Sequence, residues 1–125
     1  MAKRQITTDE AAPPGGPYSQ AIVAAGIAFL AGQTPMTSGG ELVEGGFEDQ
    51  ARQAFDNLVA VAQAAGGSLD QAVRVGVYLR DMGDFAAMNS VWERYFSEPR
   101  PARTTIQSNL PGFAIEVDAI LVLDD

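Results

Sequence analysis

Two closely spaced prolines, Pro99 and Pro101, most constrain how the last third of this chain can fold. A helix cannot continue through them, because proline lacks a backbone N–H and restricts the residue before it. The residues at 104–106 are threonine, threonine and isoleucine, and β-branched residues of this kind favour a strand. The sequence therefore predicts a strand that has Arg103 at its beginning.

A second strand is predicted after a proline-glycine turn at 111–112. Apolar residues alternate with Glu116 and Asp118 over 115–123, which places both carboxylates on one face of that strand. We expect this strand to run back beside the first, so that Arg103 lies near a carboxylate. The pattern is typical of a small-anion site, but a structural ion pair between Arg103 and either carboxylate would have the same residues.

Upstream, apolar segments at 21–24 and 27–30 flank a tight turn at 25–26 and predict a β-hairpin. The prolines and glycines at 11–17 exclude regular structure and predict a loop before the hairpin. A short edge strand is expected at 5–8, ahead of that loop.

The middle of the chain alternates between helix and strand patterns. Apolar spacing of three and four residues predicts a helix over 48–65 that ends at Gly66. Alternating valines predict a strand over 73–79 with its apolar side chains on one face. A second amphipathic helix is predicted over 85–96, with Asp84 as its N-terminal cap.

This order of elements predicts an α+β fold, in which two helices lie on one face of a single mixed β-sheet. The helical stripes are too narrow to cover both faces, so the other face would expose valines and isoleucines, which usually marks self-association. With 125 residues, of which 46% are hydrophobic, the chain is expected to form a single domain over 1–125.

Composition excludes several classes of function. A net charge of −8 opposes both the phosphate backbone of nucleic acids and anionic lipid surfaces. The absence of cysteine and histidine removes disulfides, thiolate nucleophiles, the commonest general base and the commonest metal ligands. We expect no metal, no nucleic acid and no membrane partner, and the absence of an apolar N-terminal run predicts a cytoplasmic protein.

Arg103 is the strongest candidate for a binding residue, because a guanidinium binds a carboxylate through two parallel hydrogen bonds. Glu116 is a candidate to orient or deprotonate a water molecule, with a structural partnership to Arg103 as the alternative. Asp118 shares a strand face with Glu116 and is interpreted as a solvated surface charge.

Three further positions are candidates for contacts with a ligand. Tyr18 follows the proline-rich loop and could donate a hydrogen bond to a ligand, or it could pack over the loop. Gly32 would allow close approach of a ligand, or it could simply end a strand. Asn89 could contact a ligand or remain a helix-surface amide. The aromatic and methionine stripe of the second helix is assigned to the core.

Motifs distributed in order over nearly the whole chain resemble the reactive-intermediate deaminase family (RidA-type, YjgF-like). This resemblance implies a chorismate-mutase-like α+β fold, a homotrimer whose sheets line a central barrel, and ligand clefts between subunits. The motifs are Gly16-Pro17-Tyr18-Ser19-Gln20-Ala21, Phe29-Leu30-Ala31-Gly32-Gln33-Thr34-Pro35, Tyr78-Leu79-Arg80-Asp81-Met82, Phe85-Ala86-Ala87-Met88-Asn89, Tyr95-Phe96, Pro101-Ala102-Arg103-Thr104-Thr105 and Ile115-Glu116-Val117-Asp118-Ala119-Ile120.

For the deaminase branch, the resemblance implies hydrolysis of 2-imino acids and their enamine tautomers, such as 2-iminopropanoate and 2-iminobutanoate, to 2-keto acids and ammonia. Enzymes that use pyridoxal phosphate release such imines, and the resemblance implies that no cofactor is needed to hydrolyse them. It also implies roles for four residues: Arg103 clamps the substrate carboxylate, Glu116 serves the hydrolytic water, and Tyr18 and Gly32 line the pocket.

Two positions depart from the pattern of the best-known deaminases. Ala31 stands where a serine is typical, and Thr105 stands where a cysteine is typical. Both are expected in the pocket wall, so they bear on substrate range. The alternatives are a small-carboxylate binding module without turnover and a pathway-specific member that acts on another imine. Family members described as ribonucleases or translation inhibitors fit an acidic chain without histidine poorly.

Overall fold

The structure, a computed structural model, describes residues 2–124. The fold is a single mixed β-sheet with two helices packed on one of its faces, as the sequence predicts. Its elements in chain order are β1 (Arg4–Ile6), β2 (Ala21–Ala24), β3 (Ile27–Gln33), α1 (Phe47–Ala64), β4 (Ala72–Leu79), α2 (Phe85–Trp92), β5 (Ala102–Gln107) and β6 (Ile115–Val122).

The strands are arranged in the order β1-β2-β3-β6-β4-β5. The predicted hairpin is present, since β2 and β3 pair antiparallel around the turn at 25–26. The expectation that β5 and β6 lie side by side is wrong, because β4 separates them and pairs parallel with β5. The physical reason is the helical crossover through α2, which returns the chain to the outer edge of β4 in the same direction.

The core lies between the sheet and α1. Gly66 has a φ of 91°, so it ends the helix in the left-handed conformation expected of a glycine cap. The predicted apolar stripe of α1 is fully buried against β3 and β6, and it consists of Ala51, Ala54, Phe55, Leu58, Val61 and Ala62.

Strand β4 differs from its predicted pattern at the first valine. Val73 is 49% exposed, although Val75 and Val77 are fully buried. The pairing of β4 with β6 shifts register between Ala72 and Arg74, so Ala72 occupies the buried position instead. A β-bulge of this kind changes the face on which a side chain lies.

The second helix is shorter than predicted and is capped differently. Helix α2 ends at Trp92, although the chain continues in turns as far as Phe96, whose side chain is buried. Asp84 precedes α2, but its side chain makes no capping hydrogen bond. Instead, Asp81 accepts a hydrogen bond of 2.8 Å from the N–H of Gly83 in the preceding turn.

The face of the sheet opposite the helices carries exposed apolar side chains, as predicted. Phe29, Ile106 and Val122 are each about half exposed. Within residues 2–124, no helix has the length and apolar character needed to cross a membrane.

Candidate functional site

Arg103 lies on β5 and points toward the helical side of the sheet. It pairs with Val75, a buried core residue of β4, which fixes the face on which its side chain lies. Its guanidinium carbon lies 4.7 Å from the centre of the Trp92 ring and 5.6 Å from that of Phe85. Nη1 also lies 3.7 Å from the sulfur of Met88. Helix α2 therefore supplies a cradle that holds the guanidinium by cation–π contacts.

The charge of Arg103 is not neutralised by a carboxylate of the described chain. Among residues 2–124, the ion pairs join other residues, and none includes Arg103, Glu116 or Asp118. Burial lowers the pKa of Arg103, yet an arginine remains protonated throughout the physiological range. The structural ion pair left open by the sequence is thus excluded within one chain.

A cavity of about 400 Å³ lies beside Arg103. Asn89, Trp92, Glu93 and Pro101 also line it, and within residues 2–124 Glu93 makes no ion pair with Arg103. Arg100 also reaches this cavity, but it is bound to Glu98 at 2.7 Å. Arg103 is therefore the arginine of this cavity that remains available to an anion.

Thr105 lies two residues beyond Arg103 on the same face of β5, opposite the core residue Val77. Its hydroxyl oxygen is buried and has no hydrogen-bond partner in the described part of the chain. A buried hydroxyl without a partner is unfavourable, so this oxygen is available for a partner that one chain does not supply.

Glu116 lies on the opposite face of the sheet. It is the direct cross-strand partner of Tyr78, whose side chain points away from the helices. Its carboxylate rests against Gly32 of β3, where a β-bulge interrupts the pairing with β6. A Cβ atom on Gly32 would lie 2.9 Å from Cδ of Glu116 and would overlap the carboxylate. Gly32 therefore leaves the space that this carboxylate occupies.

Two carboxylates share this face in different environments. Burial, and then the charge of Asp118, raise the pKa of Glu116 above its usual range. Asp118 accepts hydrogen bonds of 3.0 Å from the N–H of Gly76 and from the hydroxyl of Tyr78. Asp118 is half-buried, so its interpretation as a solvated surface charge is wrong.

Tyr18 is held at the edge of a second cavity of about 530 Å³. Its hydroxyl oxygen accepts a hydrogen bond of 2.9 Å from the N–H of Gly15, so the proline-rich loop fixes its position. The hydroxyl hydrogen stays available for donation to a ligand. Gly32 lines the same cavity, and its apolar walls include Met36 and Phe113.

Ala31 is half-buried in the bulged part of β3. Its backbone N–H donates to the carbonyl of Gln20 at 2.9 Å. The buried side chain of Gln20 accepts from the N–H of Thr8 at 2.8 Å and donates to the carbonyl of Ala12 at 3.0 Å. Gln20 thereby joins β3 to the loop that carries Tyr18.

The predicted site residues fall into two groups that one chain does not bring together. Arg103, Asn89 and Thr105 lie on the helical side of the sheet. Glu116 and Tyr18 both lie beside Gly32, away from that cavity. The first group contains the cation Arg103, and the second contains the carboxylate Glu116.

The sequence pattern did not reveal the residues that support Arg103. The assignment of Trp92 to the core is confirmed, since Trp92 is 5% exposed, but that of Phe85 is wrong, since Phe85 is 39% exposed. Both rings contact the guanidinium of Arg103, which the sequence did not predict. Their spacing of seven residues on one helical face ahead of Arg103 was the available signal. Tyr78 was missed because its hydrogen bond to Asp118 depends on strand pairing.

No metal site is apparent in the described part of the chain. Residues 2–124 contain no group of three or more acidic side chains arranged to hold an ion.

Comparison with known proteins places the chain in a family. Residues 8–123 match the family model described as Endoribonuclease L-PSP. A RutC family protein of Pyrococcus horikoshii is 48% identical, with 94% of this chain and 96% of that protein covered. The protein named 2-iminobutanoate/2-iminopropanoate deaminase in Dermatophagoides farinae is 39% identical, with 98% of each covered.

Solved structures agree with this placement. The crystal structure of RidA from an Antarctic Psychrobacter superposes with a TM-score of 0.91 at 38% sequence identity. The match covers 96% of this chain and 99% of that one. The family model, the relatives and the shared fold together show that this chain belongs to the RidA (YjgF-like) family.

Proposed function

We propose that this protein is a hydrolytic deaminase that converts 2-imino acids and their enamine tautomers to 2-keto acids and ammonia. In this reaction water adds to the C=N carbon, the C–N bond breaks, and the carbonyl oxygen comes from water. The substrates are those that pyridoxal-phosphate enzymes release. The name of the 39% identical mite protein supports this reaction class.

The guanidinium of Arg103 is the observation that carries the proposal. It is held against Trp92 and Phe85 at the edge of a cavity, and no carboxylate of the described chain neutralises it. A 2-imino acid offers a carboxylate beside its reactive carbon. Two parallel hydrogen bonds from Arg103 would fix that carboxylate and orient the imine carbon.

We further propose that the complete site forms between copies of this chain in a homotrimer. Arg103 and Glu116 lie on opposite faces of the same sheet, so a ligand held by Arg103 cannot reach Glu116 of its own chain. Exposed apolar residues on the helix-free face, such as Phe29 and Val122, supply a surface that association would bury. Arg103 would then face Glu116 of the partner subunit.

Glu116 would transfer the protons that hydrolysis requires. As a carboxylate it takes a proton from the attacking water, and as a carboxylic acid it returns that proton to the departing nitrogen. Its raised pKa suits both steps, because a group that titrates nearer the working pH exchanges protons more readily. Positioned acid–base help of this kind contributes about 10²–10⁴-fold.

A small-carboxylate binding module is the principal alternative, and Arg103 alone would serve it. Such a module has no use for a half-buried carboxylate with a raised pKa, whose burial opposes ionisation. Glu116 therefore favours the enzyme over the binding module. A pathway-specific member of the family would use the same residues on a different imine.

The direct test is ammonia release from imines generated by an amino-acid oxidase from alanine, 2-aminobutyrate and leucine. We expect hydrolysis faster than in buffer alone, with the leucine imine preferred, because Ala31 stands where a more polar serine is typical in the proposed pocket wall. One methylene in an apolar pocket discriminates by about 1–3 kcal/mol. Rates equal to those in buffer would reject the deaminase, and preference for the alanine imine would reject the apolar pocket.

A complementation experiment tests the shared site. Arg103→Ala and Glu116→Gln subunits are expected to be inactive alone, yet co-expression should restore activity. If each site takes Arg103 from one subunit and Glu116 from the next, random mixing leaves about one quarter of the sites intact. Sedimentation should give the mass of a trimer. A stable monomer, or a mixture as inactive as its parents, would contradict the shared site.

A further inference from the structure

We propose that Tyr78 and Asp118 form a positioning pair that makes Glu116 the proton-carrying carboxyl group of this face of the sheet. In this arrangement Tyr78 holds the Asp118 carboxylate beside Glu116, and Glu116 gains and loses the proton. Neither Tyr78 nor Asp118 needs to touch the substrate. The catalytic meaning of the pair rests on the proposed function, whereas its effect on the proton affinity of Glu116 does not.

The strand register places these groups together. Tyr78 lies directly across from Glu116 in the antiparallel pairing of β4 and β6, and Gly76 lies directly across from Asp118. Because alternate residues share a face, Glu116 and Asp118 are neighbours along β6 on one face. The Tyr78 hydroxyl reaches diagonally to Asp118 at 3.0 Å. The tyrosine therefore spans both carboxyl groups.

Gly76 makes this contact possible. A Cβ atom at this position would lie 3.1 Å from the Tyr78 hydroxyl oxygen and 3.3 Å from Cγ of Asp118. Without that atom, Asp118 settles over the strand and also accepts the N–H of Gly76 at 3.0 Å. Both donors hold the Asp118 carboxylate on the face of the sheet that it shares with Glu116.

Glu116 has no comparable donors. Within residues 2–124 its carboxylate makes no hydrogen bond or ion pair, and it rests against the backbone at Gly32. The two carboxyl groups therefore have unequal surroundings, because Asp118 accepts two hydrogen bonds and Glu116 accepts none in the described part of the chain. The raised pKa of Glu116, caused first by burial and then by the charge of Asp118, agrees with its role as the proton carrier.

The other neighbours of Glu116 do not offset this charge. Strand β3, on one side, has no titratable residue. Strand β4, on the other side, contributes Tyr78 and Arg74 to this face, and Arg80 follows at its end, where its charge forms no ion pair within residues 2–124. The guanidinium of Arg74 binds the hydroxyl of Thr104 at 3.1 Å and is turned toward β5. Asp118 is therefore the negative charge to which Glu116 responds.

The test is a titration of Glu116 in the intact protein, followed by the NMR signal of ¹³C-labelled glutamate carboxyl groups. The Glu116 signal is identified by its loss in Glu116→Gln. Asp118→Asn removes the neighbouring charge, so we expect the Glu116 midpoint to move to lower pH. Tyr78→Phe keeps the ring but frees the Asp118 carboxylate to turn toward water, so we expect a smaller shift in the same direction.

A matched control is available on the helices. Tyr95 donates a hydrogen bond of 2.7 Å to Asp56, which is the same chemistry on the other side of the sheet. Asp56→Asn and Tyr95→Phe should leave the Glu116 midpoint unchanged. An unchanged midpoint in Asp118→Asn or in Tyr78→Phe would overturn the proposal, and so would an equal shift in the control variants.

The titration also separates this inference from the proposed function. If the Glu116 midpoint shifts as expected but the protein hydrolyses no imine, the positioning pair is supported and the deaminase function is rejected. If the protein hydrolyses imines but the Glu116 midpoint does not change in Asp118→Asn, the function is supported and the positioning pair is rejected. In an active enzyme, the limb of the pH–rate profile that reports the ionisation of Glu116 should move to lower pH in Asp118→Asn.

Discussion

Arg103→Ala is expected to lower imine hydrolysis by about 10²–10⁴-fold, because the substrate carboxylate loses two charge-assisted hydrogen bonds. Arg103→Lys should be almost as inactive. An ammonium on a shorter reach is a single point donor, and it does not reproduce the planar fork or its stacking on Trp92. The measurement is ammonia release at substrate concentrations above and below the wild-type KM.

Both Arg103 variants should remain folded. Arg103 contributes cation–π contacts with Trp92 and Phe85, which are worth about 0.5–2 kcal/mol. No carboxylate of the described chain loses a partner when Arg103 is replaced, so the larger cost of an uncompensated buried charge does not arise. We expect a small decrease in the thermal midpoint and an unchanged oligomeric mass.

Arg94→Ala is the matched control for this pair of variants. Arg94 is an exposed arginine that lies 3.6 Å from Glu48 on the helical surface, and it takes no part in the proposed site. It should keep wild-type activity. Activity retained in Arg103→Ala would refute the carboxylate clamp, and inactivity accompanied by unfolding would assign Arg103 a structural role instead.

The sequence predicted the elements of the fold because their periodicities are distinct. Strand β6 alternates strictly and helix α1 repeats every three to four residues, and both follow the predicted burial. The pairing of β5 could not be predicted in the same way. Its edge position depends on the crossover through α2, and a sequence pattern does not reveal which edge a crossover reaches.

The wrong pairing of β5 with β6 also made the predicted geometry of the candidate site wrong. With β5 beside β6, Arg103 and Glu116 would be intramolecular neighbours. With β4 between them, the register places Arg103 beside a core valine and Glu116 beside Tyr78, on opposite faces. Residue chemistry identified the candidates, but only the register shows that one chain keeps them apart.

The bulge in β3 was equally hidden in the sequence. A glycine near the end of a strand has many explanations. Gly32 is needed here because of the carboxylate of Glu116, which is more than 80 residues away in the chain. The structure supplies the explanation, because the missing Cβ of Gly32 is the space in which Glu116 lies.

Gly32→Ala is expected to lower imine hydrolysis by about 10²-fold without unfolding the protein. The added methyl group would overlap the Glu116 carboxylate and come within 2.9 Å of Cδ, so the carboxylate must move. A misplacement of about 1 Å at a catalytic group can cost that much activity. The fold should tolerate the change, since the atoms displaced first belong to the end of a flexible side chain.

Gly39→Ala provides the control, because a Cβ at that position would meet only ordinary contacts of 3.7 Å or more. It should leave both activity and the thermal midpoint close to wild type. Product binding separates the two halves of the site: Gly32→Ala should still bind a 2-keto acid through Arg103, whereas Arg103→Ala should not. Full activity in Gly32→Ala would show that the present position of Glu116 is not the one used in hydrolysis. Loss of binding together with activity would instead mean that the methyl group blocks the pocket rather than displacing its carboxylate.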